Sequence, residues 1–550
     1  MGEKMLYFLK HKLDLQKVFL ICCLLVLIGC FEKEEQKNST ITPEKTIHGG
    51  VYRFVIKYTP TTLDPIKIID IYAEAVSNQI FEGLVQFGPY LEVLPCLAES
   101  WKIEEKGQLY SFRLKKDVLF HNGRVLVSED VIFSLKRILR TSHSPVVLPH
   151  LLKIVGANGY RSKSRDSVSG LKIINDREFE IRLKTPHAPF LAALGACQSA
   201  IVPKQEFLEK DDFDRYPIGT GPFLLSSYSS DGSVELVRYD QYHGGAPFID
   251  AIRYKTYAND SYSTIVQDFQ DGLLEEIPIY KGAKEKLSGG DYEWFNRSSL
   301  SLMFYGMNVE HPNLKSAALR EALSIVIDRE KFVNEVWGGE YEAARTILPL
   351  GMPGYNPLKR VGNNEVEIAR NLVKRSFLDK SLSIPKLELV STVKAPIVDK
   401  EMAMVQNAWK SIGVDVEIKY ITDWNEFSSY IKSDKLQMYR YAWYADMPDP
   451  DSFLYALFSS SSPNNFMQYQ DEWVDTMLDK ARGVVEPIKR IHMYQEIESR
   501  IMFSTPLIPL MYMNVNRVYQ PYVKNINVCA LGAHATTLRS VWLDKVSPSQ

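Results

Sequence analysis

The sequence predicts an α/β fold containing a parallel sheet. Three features carry that prediction: alternating strand-like and helix-like segments between 387 and 445, a β-branched and aromatic strand from Gly50 to Tyr58 that leads to an amphipathic helix, and an apolar content of 45%, enough for a large core. Leu387 to Val393 reads as a strand and Lys400 to Ile412 as a helix. Val414 to Ile421 is a second strand, Trp424 to Lys432 a second helix, and Met438 to Ala445 a third strand. Strand–helix–strand–helix–strand requires crossovers, and crossovers produce parallel pairing. Ligands of open sheets sit just past the carboxyl ends of the strands. Asp446 follows the third strand directly, so position alone marks it as a ligand-facing charge.

The earlier part of the chain adds mixed elements. Thr61 to Pro65 is a turn, and Tyr72 to Leu84 reads as a helix that Gly83 ends. Leu109 to Leu114 and Val118 to Phe120 look like strands, with a tight turn at Asn122-Gly123. Ser128-Glu129-Asp130 caps a helix with apolar residues at Val131, Ile132, Leu135, Ile138 and Leu139. No repeat of solenoid length occurs.

The amino end carries Lys4, Lys10, Lys12 and Lys17, then an unbroken apolar run from Val18 to Ile28. A basic region before an apolar one is the pattern of a secretory signal. A helix of that run would span about 16 Å, roughly half a bilayer core. The run closes in Leu27-Ile28-Gly29-Cys30, which resembles the bacterial lipobox. Residues 1–29 are therefore expected to be a lipoprotein signal, Cys30 the acylated residue, and 30–48 a polar, flexible tether. The protein is expected outside the cytoplasm, held to the cell membrane or in the periplasm.

Charge and motifs exclude several classes. The chain has 65 basic and 67 acidic side chains, with four basic and two acidic ones in the expected signal. The remainder has no basic excess for phosphates, so no nucleic-acid partner is expected. Cys96, Cys197 and Cys529 remain beyond the signal and anchor; one disulfide or three free thiols are both open. No GxSxG, HExxH or P-loop occurs, and scattered SxxK matches lack SDN and KTG, so no enzyme is expected. Nine histidines follow the signal, none spaced at i, i+2 or i, i+4, so neither a metal site nor a cofactor is expected.

Six segments, in order and spread over nearly all of 50–545, resemble the family 5 bacterial extracellular solute-binding proteins, the oligopeptide- and dipeptide-binding group. They are Leu63-Asp64-Pro65 with Phe81-Glu82-Gly83-Leu84; Ala98 to Trp101 leading through Tyr110 to Lys115 and Phe120 to Arg124 to Ser128 to Val131; Gly219 to Phe223; Leu319 to Ser324 with Ile327 to Arg329; Ala445 to Asp451; and Ile508 to Leu510. The resemblance implies a two-lobed periplasmic-binding-protein-like fold of type II with an additional α/β domain. Lobe I would combine 49–81, 197–306 and 516–550, the additional domain 82–196, and lobe II 307–515. Two chain crossings would act as a hinge, and the cleft would close over cargo. The implied partners are a short peptide ligand and the permease subunits of an ABC transporter with its cytoplasmic ATPase; the receptor itself would be a monomer.

A free peptide offers an ammonium, a carboxylate and a regular main chain. By the resemblance, Asp446 holds the ammonium and Arg440 takes the carboxylate. An even offset of six puts both on one face of an extended segment, and about 20 Å of strand less side-chain reach leaves room for roughly three extended residues. Main-chain contacts are expected from Tyr441-Ala442-Trp443-Tyr444 and from Ile69-Asp70-Ile71, with Trp443 and Tyr444 lining side-chain pockets. Blander roles exist: Asp446 as a helix cap, Arg440 as a structural ion-pair partner, Trp443 as core. Alternative cargoes within the family are a nickel chelate, haem or an oligosaccharide. Alternatives of another class are an extracytoplasmic hydrolase and a sensor or adhesin.

Overall fold

The computed structural model describes residues 48–544, apart from short segments at 69, 89, 144, 210–212, 215, 229–230, 258–261, 280–282, 358–361 and 378–380. The expected signal, Cys30, nearly all of the tether and Ile69 lie outside the described residues.

The expected alternation at 387–445 forms half of a six-stranded sheet. Leu387–Ser391 pairs in parallel with Val416–Tyr420 on one side and with Met438–Tyr444 on the other. Antiparallel partners complete it: Ser301–Met307 along the whole of Met438–Tyr444, then Leu507–Tyr512, then Glu342–Ala343. The helix Pro396–Ser411 makes the first crossover. Proline is pre-organised at its start, and Val398, Met402, Val405 and Trp409 form one buried stripe at helical spacing. The Trp409 indole donates to Leu323 O at 2.9 Å, which satisfies the one polar atom that stripe buries.

A seven-stranded sheet joins distant parts of the chain in the order Glu293–Ser298, Asn514–Tyr519, Glu276–Pro278, Val51–Ile56, Ala251–Thr256, Val234–Arg238 and Phe223–Tyr228. A third, four-stranded antiparallel sheet is built from 98–182. Helix Ser128–Arg140 covers it, with Asp130 accepting from Val127 N at 3.1 Å as a cap. Val118 to Phe120 is not a strand; only Leu119 bridges to Val125, around Asn122-Gly123. The Gly219-Thr220-Gly221 loop packs where no side chain fits: a Cβ on Gly219 would lie 1.9 Å from Ile80 O. That close approach, not phosphate binding, explains these glycines.

The chain passes between the two large sheets twice. It leaves the seven-stranded sheet after Ser298, enters the six-stranded one at Ser301, and returns at Met513. The expected boundary at 306/307 therefore falls inside a continuous strand, and the crossing comes earlier. Ser299 N and Oγ both donate to Met513 O, at 2.9 and 2.7 Å, and Met513 N donates to Ser301 Oγ at 3.1 Å. The two crossings are thus tied to each other.

Candidate functional site

Strand Met438–Tyr444 has two unlike faces. Tyr439, Tyr441 and Trp443 turn toward one apolar cluster, and Met438 and Ala442 toward another. Its ladder with Leu387–Ser391 stops at Tyr439, so Arg440 to Tyr444 has a ladder partner on one side only among the described residues. Ala445 N still donates to Leu300 O at 2.8 Å, which fixes the exit of the strand and the start of the segment Asp446 to Asp451.

Three carboxylates follow, and they have different fates. Asp449 accepts two 2.7 Å bonds from Arg490, and Asp451 accepts from Arg482 at 2.6 and 2.8 Å. Burial opposes the charge of Asp451, but Arg482 outweighs it and holds the carboxyl below its usual range. Asp446 has no hydrogen bond or ion pair among the described residues. It lines an open cavity together with Glu74, Asn78, Glu82 and Arg539. A second cavity shares Leu531 with the first and is lined by Ile71, Tyr72, Tyr341, Tyr444, Arg517 and His534.

The electrostatics of the first cavity are acidic. Asp446 is open to solvent at the wall, yet protein surrounds it on most sides. That crowding, and next the charge of Glu74, pushes its carboxyl from 3.8 up to about 7. Burial likewise raises Glu74 from 4.5 to about 7, against a hydrogen bond from Asn78 and aided by Asp70. Glu82 behaves oppositely. Burial disfavours its charge, but His243 Nε2 at 2.8 Å, Tyr242 Oη at 2.7 Å and Thr220 Oγ1 at 3.0 Å hold it below its usual value.

The raised pair has a measurable consequence. Both carboxyls hold protons near and below pH 7 when the cavity is empty, and an ammonium expels the proton of the one it pairs with. Binding of an ammonium-bearing ligand should therefore release protons around pH 6–7 and weaken as pH falls below about 7. Calorimetry in two buffers of unlike ionisation enthalpy reads the release. The sign for folding is the reverse: these two groups favour the empty fold at low pH and lose that contribution as pH rises from about 4 to about 7.

The structure separates the residues expected from sequence. Tyr444 and Ile71 line the second cavity and are both 44% exposed, so they are open to a ligand there. Arg440 does not reach either cavity. Its guanidinium binds both oxygens of fully buried Glu401, at 2.8 and 3.1 Å, and Tyr305 adds a 2.8 Å bond. An expected carboxylate anchor is thus a structural ion pair, and the length estimate built on it falls as well. Tyr441 stacks on Phe427, and the Trp443 indole donates to Ser452 O at 2.7 Å; both belong to the packing of the strand, as does Ala442. Asp70 is no strand edge. It caps helix Ile71–Ile80, accepting from Tyr72 N and Ala73 N, and Ile71 is that helix's first residue.

Glu74, His534 and Arg539 were not singled out from sequence. Glu74 and Asn78 stand four apart on one helix face, a spacing that was legible. His534 and Arg539 lie in an irregular carboxyl-terminal segment with no periodicity to place them. Cys96, Cys197 and Cys529 are free thiols, and all three line the first cavity. Among the described residues no group of three or more His, Cys, Asp or Glu is placed to hold a metal ion.

Comparison with known proteins agrees with this architecture. The family model of the bacterial extracellular solute-binding proteins, family 5 middle region, matches residues 92–465. The chain is 26% identical over 481 residues to the dipeptide-binding protein of Escherichia coli K12, covering 84% of this chain and 89% of that one. It is 24% identical to heme-binding protein A of Haemophilus influenzae, covering 88% of this chain and 91% of the other. The periplasmic binding protein DppA of Helicobacter pylori, solved with the peptide STSA, superposes with a TM-score of 0.75 at 23% identity, over 91% of this chain and 99% of that one. That likeness shows the fold, a type II binding-protein fold. The chain belongs to the family 5 bacterial extracellular solute-binding proteins, a family of solute-binding proteins rather than enzymes.

Proposed function

We propose that this chain is a lipid-anchored extracytoplasmic receptor that captures short peptides and delivers them to an ABC-type importer. The observation that carries the reading is the unpartnered Asp446 in a cavity wall, beside two neighbours whose charges are already met by arginine. A peptide ammonium supplies the missing charge, in surroundings that make the pair stronger than in water. The unpaired side of Arg440 to Tyr444 offers donors and acceptors to a peptide main chain, in the manner of strand addition. The relatives' names add support, since the Escherichia coli one is a dipeptide-binding protein. The lobes would be the units around the seven- and six-stranded sheets, hinged at Ser299 and Met513, with the 98–182 sheet as the additional domain. Cys30 would carry the anchor.

A mixture of tripeptides with free amino ends should raise the melting temperature, because ligand at about 100 times its Kd adds about 2.7 kcal/mol to the folded state. The same mixture acetylated at its amino ends should give little or no shift. Equal shifts from both mixtures, or none from either, would overturn the peptide reading.

A further inference from the structure

We propose that Glu74 provides a second cation-binding point beside Asp446, so that the receptor favours peptides whose first residue is lysine or arginine. This rests on the peptide reading above and narrows it to a cargo class. The charges of the first cavity lead there. Its wall carries Glu74, Glu82 and Asp446 against one cation, Arg539. Glu82 already has Tyr242, Thr220 and His243, and Arg539 Nη1 reaches the same Tyr242 hydroxyl at 3.4 Å. Arg539 therefore belongs to the Glu82 group, and two carboxylates remain without a cation.

The basic group nearest Glu74 is His534, whose Nε2 lies 3.9 Å from Oε2. Burial and then Arg517 bring that ring down to about 4, so it is neutral at physiological pH. Asn78 donates a hydrogen bond but no charge, and Asp70 one turn back adds a further negative charge. A single α-ammonium compensates one carboxylate and leaves its neighbour without a cation. Closing the cleft over such a site makes an unpaired charge more expensive still. A lysine or arginine in first position brings a second cation on a flexible stem, within reach of a carboxylate next to the one holding its own α-ammonium.

The test compares Lys-Ala-Ala with norleucine-Ala-Ala, which keeps the stem and removes the charge, by calorimetry on the full mature chain at pH 7.5. The lysine peptide should bind at least about tenfold more tightly, and Glu74→Gln should bring the two within about threefold. Equal affinities in the unaltered protein would overturn this inference and leave the peptide function standing. Equal weakening of both peptides by Glu74→Gln would also overturn it, since Glu74 would then share the α-ammonium. Binding of neither peptide would overturn the peptide reading itself. The comparison in the unaltered protein stands even where the variant fails to fold.

Discussion

Asp446→Asn lowers affinity for a free-ended tripeptide by about 2–5 kcal/mol, roughly thirtyfold or more. Asparagine keeps the shape and one acceptor but removes the charge that faces the ammonium. The penalty is the ammonium left without the carboxylate that faces it, and it appears mainly as faster release. Acetylated peptides should lose nothing further in this variant. The empty variant should melt no lower than the parent at pH 8, because it no longer holds a carboxylate whose charge protein crowding disfavours. Calorimetry and thermal melting check both parts. Unchanged affinity would remove Asp446 from the site.

Arg440→Ala has its large effect on folding instead. Glu401 is fully buried and depends on Arg440 for its charge, with Tyr305 as an additional donor. Leaving it alone should cost about 3–5 kcal/mol of stability. The double variant Arg440→Met with Glu401→Gln keeps an acceptor for Tyr305, removes both charges, and should recover most of the loss. Denaturant unfolding measures both. If Arg440 held the cargo carboxylate, the single variant would remain stable and lose binding, and the double variant would not restore it.

These two residues show what the sequence allowed. The two-residue period put Arg440 and Asp446 on one face of an extended segment, but the strand ends at Tyr444 and Asp446 lies beyond it. What Arg440 meets was not legible either, because it is set by Glu401 on the helix Pro396–Ser411. The acid-rich segment was also visible, yet its three carboxylates look alike in one dimension. Arg482 and Arg490 sort them, from helices Glu472–Gly483 and Pro487–Ser504. Asp70 was the reverse case. An aspartate before an apolar helical stripe is a cap signature, so its role was present in the local pattern. The parallel strands at 387–445 were legible because their parallel partners all lie within that one alternating segment. The seven-stranded sheet was not, since Glu276 pairs with Tyr519 and no local period records that.

That last pairing fixes an order of assembly. Strand Asn514–Tyr519 sits between Glu293–Ser298 and Glu276–Pro278, and the latter borders Val51–Ile56. In a chain that emerges amino end first, Glu276–Pro278 and Glu293–Ser298 wait for the last strand of this sheet. The 98–182 sheet has all its partners nearby and can close at once. A truncated or stalled chain thus holds a finished four-stranded sheet beside an unfinished seven-stranded one, and the second cavity lacks the wall that Asn514 to Arg517 supply.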